Sequence, residues 1–325
     1  MKAMICRSLD GPFGLTLEEL PPLRPGPGQV KVLLRASAVN FPDILMTQGK
    51  YQFKPPLPFS PGFESAGVVS EIGSGVDGFA PGDRVMTHQR VGGYADQVVV
   101  PVEEVTPLPD EMSFEEGAGF LVGALTAHVA LHWQARLEPG ETLLVHGAAG
   151  GMGLAAVELG KLMGAKVIGA ARGEDRRAVV AAKGADYTID PDLSIRDQVL
   201  EITGGTGADV VFDPVGGDAF DQSVRCIAWE GRIVVVGFAG GRIAQLPTNL
   251  PLIKGFSVVG VRAGEFGRRN PEKGKLAREF VLQLAAEGKL RPHISHRFPL
   301  EKAIDAMQVL VDRKAIGKVV LNLEG

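Results

Sequence analysis

The sequence predicts a two-domain α/β protein, in which a doubly wound parallel sheet accompanies a mostly antiparallel β domain. The length of 325 residues is about twice the ~150 residues of an ordinary domain. Near residue 140, short strand-like runs give way to strands that alternate with helices. Beyond about residue 262 this alternation stops. These observations indicate two domains, one of which is built from both ends of the chain.

The composition excludes several classes of protein. Lys and Arg number 34 against 38 Asp and Glu, a formal charge of -4, so no basic field favours nucleic acid. No apolar run approaches the ~18 residues of a membrane span, and the first residues lack the apolar centre of a signal peptide. Cys6 and Cys226 are too few for a disulfide framework. We therefore expect a soluble, cytoplasmic protein that binds neither nucleic acid nor membrane.

Runs rich in Val, Ile and Leu predict the strands of the first domain, because turn signals at residues 25–28, 73–75 and 81–83 separate them. These runs are Met1 to Arg7, Leu15 to Pro21, Gln29 to Asn40, Ser65 to Gly73, Asp83 to Gln89 and Tyr94 to Pro101. After residue 140, apolar runs recur about every twenty residues, with helical stretches such as Met152 to Gly164 between them. Strands and helices that alternate in this way predict a parallel sheet covered on both faces.

The remaining segment differs from this pattern. Residues 275 to 287 and 300 to 312 favour helices, and Gly317 to Leu323 favours a strand. We expect residues 1–121 and 263–325 to form the β domain and residues 122–262 to form the doubly wound domain. Such an arrangement provides a cleft of the kind in which small-molecule sites concentrate.

A glycine-rich segment, residues 147–153, carries the strongest local signal for function. An apolar strand precedes this segment, and a helix begins within it. The first backbone N–H groups of such a helix bind a diphosphate when no side chain intervenes. Gly150 and Gly153 match the second and third glycines of the dinucleotide fingerprint, and Ala148 stands at the first. The segment predicts contacts to a dinucleotide by Gly147, Ala148, Gly150, Gly151, Met152 and Gly153. The alternative is a turn needed only for close packing of the helix on the sheet.

The residues after the next strand select the cofactor. An acidic side chain there would bind the ribose hydroxyls of NAD, whereas this chain has Arg172. A guanidinium suits a 2'-phosphate, which predicts NADPH. As alternatives, Arg172 is a solvated loop residue, or Glu174 takes the acidic role.

Signals for other chemistry are missing from the sequence. No Gly-Lys pair is followed by Ser or Thr, as a Walker-type loop requires, and no G-x-S-x-G elbow occurs. The pairs His128 with His132 and His293 with His296 are weak candidates for metal ligands. We expect no metal site.

Several segments together resemble one family. Residues 140–161 resemble the signature of zeta-crystallin-like quinone oxidoreductases, a zinc-free branch of the medium-chain dehydrogenase/reductases, with Glu158 in place of the usual Gln. Residues 39–43, 48–51, 61–64, 287–290, 298–300 and 317–321 are similar to the same branch. Zinc-dependent relatives have a Cys near Asn40 and a His at Phe63 for one zinc site. They hold a second zinc in a four-cysteine lobe between residues 82–85 and 92–94, where this chain has only six residues. The resemblance therefore implies that both zinc sites are lost.

The resemblance implies a GroES-like first domain and a Rossmann second domain with NADPH between them. It places Asn40, Asp43 and Tyr51 at the nicotinamide end as catalytic residues, and it assigns cofactor contacts to Thr126, Tyr187, Phe238 and Lys318. Tyr187 would lie on the adenosine side near Arg172. As alternatives, Asn40 and Asp43 only stabilise a turn, and Tyr51 is a half-buried core aromatic.

The reaction implied is hydride transfer from NADPH to a quinone or a similar conjugated carbonyl. One alternative is reduction of a 2-enoyl thioester or enone, in which Tyr51 donates a proton. A second is an NADPH-binding protein with little turnover. The strand at Ser257 to Val261 would lie at a sheet edge, which predicts a homodimer through edge pairing.

Overall fold

The computed structural model describes residues 1–323, which form two units. The first unit contains Met1–Val122 and the segment that begins at Arg291, and the second contains Gly123–Leu290. The first boundary lies one residue after the predicted position. The second lies at residue 290 instead of residue 262.

Ring contacts within the second unit account for the later boundary. The rings of Phe280 and His128 lie 4.7 Å apart between centroids, and those of Phe266 and Trp133 lie 6.0 Å apart. These contacts attach residues 263–290 to the first helix of the second unit and the turn after it. The sequence pattern assigns residues 263–290 to the first domain, and the structure corrects that assignment.

The strands follow the predicted runs closely. They are β1 (Lys2–Cys6), β2 (Leu15–Glu19), β3 (Gln29–Val39), β4 (Glu64–Ile72), β5 (Arg84–His88), β6 (Gln97–Pro101), β7 (Val105–Pro107), β8 (Thr142–Val145), β9 (Lys166–Ala170), β10 (Tyr187–Ile189), β11 (Ala208–Asp213), β12 (Ile227–Val235), β13 (Ser257–Gly260), β14 (Ile294–Pro299) and β15 (Lys318–Asn322).

The helices include those predicted after β8 and near the end of the chain. They are α1 (Phe41–Thr47), α2 (Phe114–Ala118), α3 (Leu121–His128), α4 (Gly151–Leu162), α5 (Glu174–Ala182), α6 (Ile195–Ile202), α7 (Gly217–Cys226), α8 (Asn249–Lys254), α9 (Ala263–Arg269), α10 (Pro271–Ala286) and α11 (Ala303–Val311). A π-helical segment, Val129–Ala135, continues α3. None of the helices within residues 1–323 combines the length and the apolar character that a membrane crossing needs.

Strand β3 organises the sheet of the first unit. Its side chains alternate, with Val32, Leu34 and Ala36 buried while Leu33 is 40% exposed. It pairs antiparallel with β4, β6 and β15, in a sheet of order β14-β15-β3-β4-β5-β7. Only the β14–β15 pair of that sheet is parallel among the described residues. This mostly antiparallel sheet confirms the fold class predicted for the first domain.

The sheet of the second unit is parallel throughout the described residues, in the order β10-β9-β8-β11-β12-β13. Leu143, Leu144 and Val145 of β8 are completely buried, because helices cover both faces. From β8 the strand order continues outward to β9 and β10, and from β11 it continues outward on the opposite side to β12 and β13. Ligands of such sheets bind outside the carboxyl ends of the two strands where the order reverses, here β8 and β11. The doubly wound fold is confirmed.

Candidate functional site

Strand β8 leads into the glycine loop, residues 147–150, and the loop leads into α4. Gly147 has a φ of 56°, in the left-handed region that favours glycine. Gly150 immediately precedes α4, and no side-chain hydrogen bond caps the start of the helix. Since Gly147 and Gly150 are exposed, the first backbone amides of α4 lie at an accessible surface. Amides at the positive end of a helix dipole bind phosphate groups.

Gly153 allows α4 to lie against this loop. A Cβ atom at Gly153 would lie 2.2 Å from the carbonyl oxygen of Gly147 and 2.8 Å from the Cα of Ala148. Ala148 is fully buried and donates its backbone N–H to the carbonyl of Ala170 at 3.0 Å. The loop is therefore compact and free of side chains over the amides, as a diphosphate requires. These residues fit a dinucleotide cofactor.

The loop after β11 lies against the glycine loop. Asp213 Oδ1 accepts hydrogen bonds from the backbone N–H groups of Val215 and Gly216, both at 2.8 Å. A Cβ at Gly147 would lie 3.3 Å from the side chain of Val215. Asp213 Oδ2 is buried without a hydrogen-bond partner. Asp213 thus shapes one wall of the region at the carboxyl ends of β8 and β11.

A second buried polar residue, His146, immediately precedes the glycine loop. Its Nε2 lies 2.6 Å from Ser223 Oγ, and that hydroxyl donates to the carbonyl of Ala219 at 2.8 Å. Because the serine proton is used in this bond, His146 donates its Nε2–H to the serine oxygen. Burial lowers the pKa of His146, although Asp213 acts in the opposite direction. His146 therefore anchors the end of β8 to α7 as a neutral imidazole.

Arg172 follows the carboxyl end of β9, as the sequence predicts. Its Nε donates to Asp192 Oδ1 at 2.6 Å, and both side chains are more than half exposed. The neighbouring Arg177 pairs with Asp190 at 2.8 Å. Each guanidinium therefore faces a carboxylate that comes from the segment after β10. Sequence reasoning looks for acidic residues directly after β9 and misses this second source.

Tyr187 makes a contact at the other end of β9. The ammonium of Lys166 lies 4.9 Å from the centre of its ring, and Lys166 is the first residue of β9. Arg172 follows the last residue of that strand. This contact does not support the placement of Tyr187 beside Arg172.

Two further predicted cofactor residues lie on elements next to these loops. A Cβ at Gly216 would lie 2.9 Å from Cδ1 of Phe238, whose side chain is 41% exposed. Thr126 lies on α3, which packs against the start of α4, since a Cβ at Gly123 would lie 3.3 Å from the carbonyl oxygen of Gly151. Thr126 and Phe238 thus belong to elements that adjoin the glycine loop and the loop after β11.

In the first unit, Asp43 is completely buried and holds three elements together. Its Oδ2 accepts from the backbone N–H of Asn40 at 2.8 Å and from the Tyr94 hydroxyl at 3.2 Å, and its Oδ1 accepts from the backbone N–H of Gly62 at 2.9 Å. Burial raises the pKa of this carboxyl to about 7, against the lowering effect of the three hydrogen bonds. These contacts match the structural alternative for Asp43, which stabilises a turn.

Asn40 lies in a buried cluster with Glu64 and Lys318, named here the polar cluster. Lys318 Nζ donates to Asn40 Oδ1 at 2.8 Å and to Glu64 Oε1 at 2.5 Å. Asn40 Nδ2 also donates to Glu64 Oε1, at 3.1 Å, and Glu64 Oε2 accepts from the backbone N–H of Val122 at 2.9 Å. The cluster fixes which way the Asn40 amide points. Glu64 is its centre, although the sequence predicts no role for Glu64.

Tyr51 is half-buried and packs edge-on against Phe63, with ring centroids 5.6 Å apart. Phe63 immediately precedes Glu64 in the chain. The contact fits the core-aromatic alternative and also leaves part of the tyrosine accessible.

Comparisons with known proteins agree with this geometry. Residues 26–110 match the alcohol dehydrogenase GroES-like domain, and residues 151–280 match the zinc-binding dehydrogenase family. The quinone oxidoreductase-like protein 2 homolog of Nematostella vectensis is 41% identical over 99% of this chain and 88% of its own length. The chain belongs to the quinone oxidoreductase-like medium-chain dehydrogenase/reductases.

Two other members of this family have different names. The human synaptic vesicle membrane protein VAT-1 homolog is 33% identical over 99% of this chain and 86% of its own length. The structure of Escherichia coli quinone oxidoreductase complexed with NADPH has a TM-score of 0.92 and 29% identity, over 99% of this chain and 100% of that one. The family and the fold that the resemblance implied are both confirmed.

Zinc, which the name of one matched family implies, does not fit the residues of this dehydrogenase/reductase. Phe63 offers no ligand atom, and the oxygens of Asn40 and Glu64 that could bind a cation already accept from the Lys318 ammonium. Within residues 1–323, no group of three His, Cys, Asp or Glu side chains is placed to hold a metal ion. Independence from zinc stays a prediction.

Proposed function

We propose that this dehydrogenase/reductase transfers a hydride from NADPH to a quinone or a similar conjugated carbonyl. The observation that carries the proposal is the cradle of exposed amides formed by the glycine loop and α4, beside the carboxyl ends of β8 and β11. The E. coli relative named for quinone reduction was solved with NADPH and shares the fold. NADPH supplies two electrons as a hydride to an electrophilic carbon.

Different residues of the second unit would bind different parts of this cofactor. The backbone of Gly147, Gly150, Gly151 and Met152 would receive the diphosphate, and Arg172 would receive the 2'-phosphate. Thr126 and Phe238, beside the glycine loop and the loop after β11, would flank the nicotinamide half.

The first unit would supply polar groups for the acceptor. Lys318 and Glu64 orient the amide of Asn40, so this amide would present one fixed face. Reduction of a quinone needs two electrons and two protons, and NADPH with one proton from water or a hydroxyl provides them. No buried general acid is required of the protein.

Two other activities remain as alternatives. Tyr51 is half-buried, and a phenol at that position could donate a proton to the carbon next to the carbonyl of a 2-enoyl thioester or enone. The name of the VAT-1 homolog specifies no reaction, which leaves a protein that binds NADPH with little turnover as the second alternative.

The oxidation of NADPH, followed by its near-ultraviolet absorbance, separates the three activities. We expect loss of absorbance with a simple quinone and little with crotonyl thioester. Tyr51→Phe should leave quinone turnover nearly unchanged but lower enoyl reduction by ~100-fold if that is the true reaction. Binding of NADPH without turnover of either acceptor would overturn the proposal in favour of the binding protein.

We further propose that the protein is a cytoplasmic homodimer. Cys6 and Cys226 are both buried free thiols, which suits a reducing compartment. Strand β13 ends the parallel sheet, and Val258 on it is 40% exposed. Trp229 lies on β12, the strand next to β13, and Leu252 lies on α8, the helix that precedes β13. They are 70% and 82% exposed. An uncovered edge with apolar side chains favours pairing with a second copy of this chain.

A further inference from the structure

Arg172 and its neighbour Arg177 each form an ion pair with an aspartate, so the positive charges of these two pairs are balanced by negative ones. Arg172 pairs with Asp192 at 2.6 Å, and Arg177 pairs with Asp190 at 2.8 Å. A 2'-phosphate brings a charge of about -2 at neutral pH. It therefore meets arginines whose charge is already balanced by a carboxylate, and it competes with Asp192 for the positive charge of Arg172.

The two aspartates differ in how firmly they are held. Asp190 Oδ2 accepts from Arg177, its Oδ1 accepts from the backbone N–H of Asp192 at 3.0 Å, and its own backbone N–H donates to Gln198 at 3.1 Å. The backbone N–H of Asp192 lowers the pKa of Asp190, and Arg177 and Arg172 lower it further. Asp190 is thus a structural residue of the turn after β10.

Asp192 is the movable partner. Its side chain is 61% exposed, that of Arg172 is 53% exposed, and ion pairs in this environment are weak. Gly173, which follows Arg172, has a φ of 78°, and a Cβ atom there would have no neighbour within 4 Å, so the surface beside the guanidinium is open. A ligand can reach Arg172 there, and Asp192 can withdraw into solvent.

We propose that Asp192 sets the affinity of this site for the 2'-phosphate by competing with it for Arg172. The inference rests on the proposed NADPH-dependent function and names the residue that limits it. Asp192 acts twice, because it occupies the guanidinium and because its carboxylate repels the phosphate. Asp192 is therefore a specificity residue. Removal of its carboxylate strengthens the binding of NADPH, whereas the binding of NADH, whose ribose lacks the 2'-phosphate, does not change.

The test compares Asp192→Asn with the unchanged protein, using calorimetric titration with NADPH, NADH and adenosine 2',5'-bisphosphate at low salt. We expect binding of NADPH and of the bisphosphate to tighten about threefold to tenfold, with NADH unchanged. The gain should shrink at high salt. The matched control is Asp312→Asn, which removes one carboxylate from an exposed pair with Lys314 in the other unit.

A double-mutant cycle with Arg172→Ala shows whether Asp192 acts through Arg172. The effect of Asp192→Asn on the bisphosphate should fall to the small part due to direct repulsion when Arg172 is absent. An equal gain in both backgrounds, no gain, or an equal change for NADH and NADPH would overturn the inference. If the unchanged protein bound neither nucleotide, the proposed function itself would fail, which is a different result.

Discussion

The ammonium nitrogen of Lys318 lies 2.5 Å from a carboxylate oxygen of Glu64, and the two side chains are 7% and 1% exposed. A buried charge without its partner is costly, because neither water nor another group replaces the lost attraction. Asn40 completes the cluster by accepting from Lys318 and donating to Glu64. The pair thus orients a predicted catalytic residue and stabilises the first unit at the same time.

Lys318→Met should lower the free energy of unfolding of the protein by about 3 to 5 kcal/mol, since it leaves the Glu64 carboxylate buried without a positive charge beside it. Urea unfolding followed by circular dichroism measures this change. Lys314→Met is the control, because Lys314 is 68% exposed beside Asp312 and its loss should cost less than about 1 kcal/mol. Similar small losses in both variants would contradict the role of the buried pair.

Gly153→Ala should disturb the glycine loop from within. The added methyl would lie 2.2 Å from the Gly147 carbonyl oxygen, so we expect a loss of about 1 to 3 kcal/mol in unfolding free energy together with weaker binding of NADPH. Gly264→Ala in α9 is the control, since its nearest neighbour is the flexible end of Arg268 at 3.5 Å. Unfolding and NADPH titration check both effects. A Gly153→Ala protein with unchanged affinity would mean that the diphosphate binds elsewhere.

Arg172→Glu should weaken the binding of NADPH by about 1.5 to 3 kcal/mol, because a charge-assisted contact to the 2'-phosphate is lost. Binding of NADH should change little. Fluorescence titration with both nucleotides measures the difference, and Arg24→Glu, at an exposed position of the first unit, is the matched charge reversal. An unchanged preference would show that another residue binds the phosphate.

The contribution of Asp43 to the stability of the protein should fall as the pH rises from about 4 to about 7, whereas buried His128, whose pKa is lowered to about 4, acts in the opposite direction. Burial raises the pKa of Asp43 to about 7 from a usual 3.8, so over this range the folded protein retains a proton that the unfolded chain releases. The contribution is complete below 3.8 and is lost as the pH passes 7. Urea unfolding of Asp43→Asn, which cannot titrate there, should give a stability profile that falls less, or rises more, over this range than that of the unchanged protein. Asp83→Asn, at an exposed turn carboxylate, should keep the original slope, and parallel profiles for all three proteins would refute the prediction.

Light scattering should give a mass of about twice the 34.4 kDa of one chain. Trp229→Glu should shift the mass toward that of the monomer, since it places a charge beside the proposed interface. Phe13→Glu is the control, because Phe13 is 76% exposed in the first unit. A monomeric unchanged protein would end the proposal of a homodimer.

Local patterns predicted most of the fold. The strands of both sheets and the helix after the glycine loop follow from periodicity and turn residues, because each signal lies within a few neighbouring positions. The later domain boundary could not be predicted in this way. It depends on contacts such as Phe280 with His128, which join helical segments far apart in the sequence.

The site was predictable to the same extent. The glycine loop and Arg172 lie in short motifs, whereas Glu64 and Lys318 are separated by 254 positions and reveal their pairing only in the folded chain. The partner of Arg172 was missed because Asp192 follows the neighbouring strand, beyond the stretch in which an acidic residue is usually sought. The contact of Tyr187 with Lys166 likewise depends on side-chain direction, which periodicity leaves open.

The pairing of β15 with β3 has a consequence for synthesis on the ribosome. All of residues 123–290 emerge before β15, so the second unit can fold while the sheet of the first still lacks its final strand. Until then the Glu64 carboxylate has no ammonium opposite it. Completion of the sheet of the first unit, and with it a fixed orientation of Asn40, therefore follows the synthesis of the second unit.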